Sequence, residues 1–336
     1  MNKTQILPVL QVIRHEPANY SEMHALKKDF IHLNETIPPV YLLEIKNAYV
    51  SPFGIVYKNG FVVEESVYSM FKPKTFYLSF YKKLLLNKVV KINGDCIVAH
   101  NSYFQNYYHW LLEAVPRLFL LKDKAPQLKL ILNANSPNFI KQYVSLFGFK
   151  EIVYLQDDVM AKVDQIAFTS FTSRGLAMYE PVIRDMVKWL FQKNNIQENS
   201  NPTKNIFITR KSAKYRRLIN EPEIIDYLSS KGFEIVTLEN LSVKEQMQLF
   251  ADAKNVIGTQ GAGMANMIYS THGKMLMTII HEEHPDDAYY NQTNVNNTLC
   301  YYFQCKGVGN FDYKNNDDII VDMDKFKAVC EQKIFI

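Results

Sequence analysis

The sequence predicts an α/β protein of two domains, on three observations. From residue 205 onward, short apolar runs alternate with capped helical segments in the order β-α-β-α-β-α-β. That order builds a parallel sheet with right-handed crossovers. Ahead of it, residues 40–90 are rich in Val, Tyr and Phe in short alternations, and residues 106–196 mix helical stretches with strands. Between the halves lies QENSNPTK, residues 197–204, a polar stretch with Pro and Asn that reads as a linker. A chain of 336 residues has length for about two domains of roughly 100–200 residues each. The expected division is an N-terminal domain over 1–197 and a C-terminal domain over 198–336. The last helix is a candidate to return to the first domain.

The elements follow in order. In YVSPFGIVYKNGFVVEESVYSM the break at Lys58-Asn59-Gly60 predicts a hairpin turn. NYYHWLLEAVPRLFLLKDK, residues 106–124, predicts a helix capped by Asn106 and bent at Pro116. Strands follow at 128–134, 152–155 and 165–170, with a helical IKQYVSLFG between the first two. A helix over 181–196 carries Pro181 near its first turn. In the second half NIFITR, FEIVTL, NVIGTQ and KMLMTII are strands. Asn220-Glu221-Pro222-Glu223 resembles a capping box opening a helix that Gly232 ends, and Ser242–Glu245 is a second capping box. Ligands on such a sheet bind beyond the carboxyl ends of its strands. That singles out the loops after Arg210, after Leu238 and at Thr259–Gly263.

Composition narrows the function classes. With 47% hydrophobic and 21% charged residues, the chain is no disordered tail, collagen or coiled coil. A net charge of +4 is too weak for a nucleic-acid binder, but fits an anionic ligand or loose contact with an acidic membrane surface. The four cysteines form no C-x-x-C pair, and read as reduced thiols of a cytosolic protein. The first twenty residues lack the pattern of a signal peptide, and no run approaches the ~20 apolar residues that span a bilayer. A cytoplasmic, soluble or membrane-peripheral protein is expected.

Four groups of residues carry chemistry. GTQGAGMANM follows a strand and opens a helix, so Gly261, Ala262 and Gly263 present backbone N–H groups suited to phosphate. The alternative is a plain turn that needs small residues. Lys204, Arg210, Lys211, Lys214, Arg216 and Arg217 form a basic run without an acid among them. Arg210, with one of Arg216 or Arg217, is the expected phosphate ligand, because guanidinium forks match phosphate oxygens; Lys204 and Lys214 read as solvated. His109, Glu113 and Arg117 recur at i, i+4 and i+8 on an otherwise apolar helix. Such a polar stripe must be paired internally or face a cleft; for Arg117 an ion pair with Glu113 is the favoured reading. HEEHPDD, residues 281–287, does not match a zinc motif and is expected to be an acidic loop rather than a dedicated metal site.

Three segments together resemble glycosyltransferase family 61. They are NYYHWLLEAVPRLFLL at 106–121, IFITRKSAKYRRLINEPEI at 206–224 and FEIVTLENLSVKEQMQLFADAKNVIGTQGAGMANMIY at 233–269. Their order and spacing agree with the family as well. One departure is Gln260, where the family usually has His before Gly-Ala-Gly; another is Thr278, where an acidic residue is common. Gln260 can donate a hydrogen bond but cannot carry a proton charge.

The resemblance implies a GT-B fold, two Rossmann-like domains facing a central cleft, with the nucleotide-sugar in the C-terminal domain and the acceptor in the N-terminal one. It implies an inverting, metal-independent transfer from a nucleotide-sugar, most readily UDP-linked, to a glycan or lipid-linked glycan. No cofactor and no nucleic acid is expected, and the setting is capsule, lipopolysaccharide or glycoprotein glycan synthesis. The alternative is a non-catalytic relative that binds nucleotide or glycan. Donor-binding candidates are Arg210, Lys211, Arg216, Arg217, Asn220, Glu221, Gln260, Gly261, Ala262, Gly263 and Asn266. For the base that deprotonates the acceptor hydroxyl, Glu113 is preferred over His109, which then orients either the acceptor or the carboxylate.

Overall fold

The computed structural model describes the chain except residues 24–30, 69–72, 175–176, 212, 284–287, 310–315 and 336. It is mixed α/β. Packing divides it into two compact units, Met1–Gln11 with Thr36–Met186, and Val12–Glu35 with Val187–Ile336. The division therefore falls inside the helix Glu180–Asn194 rather than at 197/198, and residues 12–35 join the second unit. Past that point Phe191 already packs on Tyr269, with ring centroids 5.9 Å apart. Polar composition at 197–204 marks where the chain meets solvent, not where its contacts change hands.

The first twelve strands are β1 (Asn2–Leu7), β2 (Leu10–Ile13), β3 (Asn34–Ile37), β4 (Val40–Val50), β5 (Val56–Lys58), β6 (Phe61–Val62), β7 (Val89–Ile97), β8 (Lys129–Asn133), β9 (Glu151–Leu155), β10 (Met160–Thr169), β11 (Ser173–Arg174) and β12 (Ala177–Met178). The sheet of the first unit runs β6-β5-β4-β10-β7-β8-β9, with β1 also on β4. β10 is antiparallel to β4 and parallel to β7, and β7, β8 and β9 are mutually parallel. Its core gathers Leu43, Ile45, Ile131, Ile166 and Phe168. The hairpin turn falls where the sequence places it: Asn59 and Gly60 both have positive φ, 51° and 82°, between β5 and β6. Residues 40–90 hold β4, β5, β6 and the start of β7, and also a helix that the alternation does not reveal. Pro73–Leu85 is a helix, held by Phe80 stacked on Tyr57 at 4.6 Å.

The helical run 107–120 is capped by Asn106, whose Oδ1 accepts from Tyr108 N at 2.9 Å. It is not regular: Trp110–Ala114 is a π turn between two α segments. Pro116 has no N–H to return to the carbonyl four residues back, and the ladder widens just ahead of it.

The second unit carries β13 (Lys204–Ile208), β14 (Glu234–Val236), β15 (Ala253–Thr259), β16 (Met275–His281), β17 (Leu299–Val308) and β18 (Asp318–Ile320). The order is β14-β13-β15-β16-β17-β18, parallel up to β17 and antiparallel at β18. On one face Phe207, Ile257, Met277 and Phe303 meet Ile224 and Leu228 of the helix Glu221–Ser230 and Phe326 and Cys330 of the helix Met323–Lys333. The last helix thus packs within the second unit instead of returning to the first. On the other face Ile280, Cys300 and Tyr302 meet Tyr290 together with Met23 and Ile31. That contact is why residues 12–35 belong here: Ala18 N donates to Cys300 O, and Asn19 pairs with both backbone groups of Tyr302.

All four cysteines are buried free thiols. Among the described residues, no helix is long and apolar enough to cross a membrane.

Candidate active site

In the second sheet the chain builds β13, passes to β14 on one side, then returns to build β15 on the other. The carboxyl ends of β13 and β15 therefore flank a topological switch point, where open α/β sheets form their ligand crevice. Arg210 follows β13, and Gln260, Gly261 and Ala262 follow β15. A β-carbon on Gly261 would meet Arg210 Nη1, and one on Gly263 would meet Leu238 Cδ1 at 2.6 Å. Both glycines are fixed by close approach, not by a left-handed backbone. The helix opened by Gly261 is a 3-10 helix, Ala262–Tyr269. Its first-turn N–H groups still lack intrahelical acceptors.

Arg210 is held from two sides. Its backbone N donates to Glu221 Oε1 at 2.9 Å, and its Nη2 donates to Tyr215 O at 3.0 Å. Nε is buried without a hydrogen-bond partner among the described residues. Burial, and then the neighbouring Arg216, push its pKa down. A desolvated guanidinium beside a second cation is a place where an anion is favoured.

The other predicted residues divide. Arg216 lies at the same edge with φ +58°, its Nε also buried without a partner among the described residues, beside Gln260 and Thr259 around a small void. Lys211 is exposed, and its N donates to Thr209 Oγ1. Arg217 is engaged instead: Nε and Nη2 donate to Asp318 Oδ2 at 3.0 and 2.6 Å. Asn220 clamps the backbone of Val321, donating to its O and accepting from its N, so it does not cap the helix that follows. Glu221 acts through Arg210. Asn266 is buried and donates to Gln246 Oε1 at 2.7 Å. Gln260 is 3% exposed, so it lies beneath the loop and not on its rim. Thr278 is buried in the same strand row, its Oγ1 without a partner among the described residues. Of the stretch 281–287, His281 is the buried end of β16, and residues 284–287 lie outside the described residues.

In the first unit the polar stripe resolves into a pair and a staple. His109 Nδ1 lies 2.9 Å from Glu113 Oε1. Glu113 Oε2 accepts from Asn101 Nδ2, and Asn101 Oδ1 accepts from Tyr103 N. Tyr103 stacks on the His109 ring at 4.7 Å and 20°, with Tyr68 edge-on at 5.7 Å. Burial first, then the Glu113 carboxylate, push the Tyr68 hydroxyl well above its ordinary pKa. Arg117 does not close an ion pair with Glu113. Its Nε and Nη2 donate to Thr169 O and its Nη1 to Ala99 O, tying the end of β10 to the residues after β7.

The π turn is what sets Glu113 inward at 1% exposure, while the His109 side chain stays 18% exposed. A carboxylate fixed on Nδ1–H leaves Nε2 as the acceptor, the arrangement of an oriented general base.

Sequence reading missed Asn101, Tyr68 and Tyr103. Asn101 carried a usable signal: it follows a parallel strand at its carboxyl end, where site residues gather. Tyr68 is far off in sequence and carried none.

A family model described as Glycosyltransferase 61 matches residues 107–277 of the chain. That span includes His109, Glu113, Arg210 and Gly261. No curated protein matches the chain.

Proposed function

The chain belongs to glycosyltransferase family 61, and from that premise we propose that it moves a sugar from a nucleotide-sugar to a hydroxyl of a glycan or lipid-linked glycan acceptor. The transfer is read as inverting, the donor as UDP-linked, and the fold as the two-domain GT-B class. The setting is capsule, lipopolysaccharide or glycoprotein glycan synthesis, reached from the cytoplasm or the membrane surface.

The observation that carries the donor side is Arg210 seated against Gly261 at the switch point of the second sheet. The leaving diphosphate gains negative charge as the anomeric C–O bond breaks. Arg210, Arg216 and the N–H groups at Gly261–Gly263 are the groups to offset it, in the manner of an oxyanion site. This is a metal-independent assignment. Lys211 serves at the exposed edge. Glu221 and Asn220 position the loops, and Gln260 and Asn266 support them from below.

For the base we reverse the sequence preference. Glu113 is buried with one oxygen on His109 and the other on Asn101, so it is not offered to an incoming hydroxyl. His109 takes the acceptor proton on Nε2 as the acceptor oxygen bonds to the anomeric carbon, and Glu113 orients the ring and balances the imidazolium.

The test is a thermal-shift panel of UDP, GDP, CMP and UDP-sugars, with and without EDTA. Ligand at about a hundred times its Kd adds roughly 2.7 kcal/mol of stability. A UDP shift that survives EDTA supports the reading. No shift with any nucleotide overturns it in favour of a glycan-binding relative.

A further inference from the structure

The first unit holds a cavity of about 470 Å³, lined in part by Tyr41, Glu64, Glu65, Tyr68, Phe171 and Ser173. That is within the roughly 300–1,000 Å³ typical of small-molecule sites. It is not the His109–Glu113 site, but it shares a wall with it. Tyr68 lines the cavity and stands edge-on to His109. Phe171 lines it too, packs edge-on to Tyr68 at 5.7 Å, and carries the Arg117 guanidinium on its ring at 4.4 Å.

Two properties select the occupant. The first is aromatic surface beside one hydroxyl in need of a partner. Ser173 is nine-tenths buried, and its Oγ has no hydrogen-bond partner among the described residues. An amphipathic ligand with ring C–H faces and several hydroxyls satisfies both. The second is charge. The lining holds two carboxylates, Glu64 and Glu65, against one ammonium, Lys3, which is already bonded to Glu65. An anionic group placed here meets like charge with no cation to spare among the described residues of the lining, which argues against a nucleotide diphosphate and against an acidic sugar.

We propose that this cavity receives the acceptor, as an uncharged sugar ring seated against Tyr68 and Phe171, and that Glu64 excludes uronate or phosphate at that position. The proposal rests on the reading of His109 as the base of a sugar transfer.

The test uses the full chain and saturation-transfer NMR. The probes are the methyl glycosides of glucose, galactose, mannose and N-acetylglucosamine, with methyl glucuronide as the acidic counterpart. At least one neutral probe should take up saturation, with methyl glucuronide at least about fivefold weaker, a modest outcome for like-charge juxtaposition. Phe171→Leu should weaken the neutral probe, and Glu64→Lys should raise the glucuronide signal. Silence from all four neutral probes, a glucuronide that binds as well as they do, or both variants behaving as wild type would each overturn the proposal. The UDP thermal shift is measured on the same samples. A wild-type chain that binds the neutral probe but no nucleotide would sink the transferase reading while leaving a sugar-binding cavity. A UDP shift retained in both variants shows that any lost sugar signal is local.

Discussion

A β-carbon added to Gly261 would stand 1.9 Å from Nη1 of Arg210, so the bare face of the glycine and the guanidinium share one space at the turn of the second sheet. The glycine's φ is −175°, which any residue adopts, so the constraint is steric and aimed at one side chain. Placing even a methyl group there displaces the cation that we assign to the diphosphate.

Arg210→Ala should weaken UDP binding by about 10- to 150-fold, the factor for roughly 1.5–3 kcal/mol of charge-assisted hydrogen bonding. Gly261→Ala should approach the same loss while the apo melting temperature stays near wild type. Titration calorimetry with UDP reads both. Wild-type affinity in Gly261→Ala would show that the contact has no part in binding.

His109→Ala should lower kcat by about 10²–10⁴-fold, the usual worth of a general base, with donor affinity unchanged. Imidazole in the buffer should restore part of that rate. Glu113→Gln should lower kcat less, and imidazole should not rescue it, because the ring is present but poorly oriented. If instead Glu113→Gln is dead and His109→Ala turns over normally, the carboxylate is the base.

EDTA should leave transfer intact if Arg210, Arg216 and the backbone at Gly261–Gly263 replace a divalent cation at the leaving group. Loss of activity in EDTA, restored by Mn²⁺ or Mg²⁺, would reject that assignment.

A pH dependence follows from His100, whose Nε2 faces Pro52 O at 3.0 Å and whose pKa burial pushes down to about 4. The native ring stays neutral where the unfolded chain, titrating near 6.5, has already taken up a proton. This contribution is therefore complete above pH 6.5 and is lost as pH falls towards 4, by up to about 3 kcal/mol. Urea melts at pH 7.5 and 4.5 should show a fall that is smaller in His100→Asn. An equal fall in both proteins would remove His100 from the account.

Much of the second unit was legible because its signals are local. Ser242 and Glu245 form the capping box in both directions, and Gly232 has φ +80° just past its helix. The switch-point loops followed from strand order alone. The roles of single side chains were less legible, because they depend on partners distant in sequence. Asp318 captures Arg217 from 101 residues away, and Val321 captures Asn220 from the same distance. Spacing puts His109, Glu113 and Arg117 on one face of a regular helix, but the π turn and the carbonyls of Ala99 and Thr169 decided which of them pair. The helix at Pro73–Leu85 was hidden by aromatic content that also suits strands.

The assignment of residues 12–35 to the second unit has a consequence for how the chain comes into being. No single cut separates the two units, because each is assembled from two separate stretches of the sequence. During synthesis the first unit is complete once Met186 has emerged, whereas Met23 and Ile31 must wait for Ile280, Cys300 and Tyr302 before their apolar faces are covered. The second unit thus closes late, over a long loop, with residues 12–35 made well before the partners that cover them.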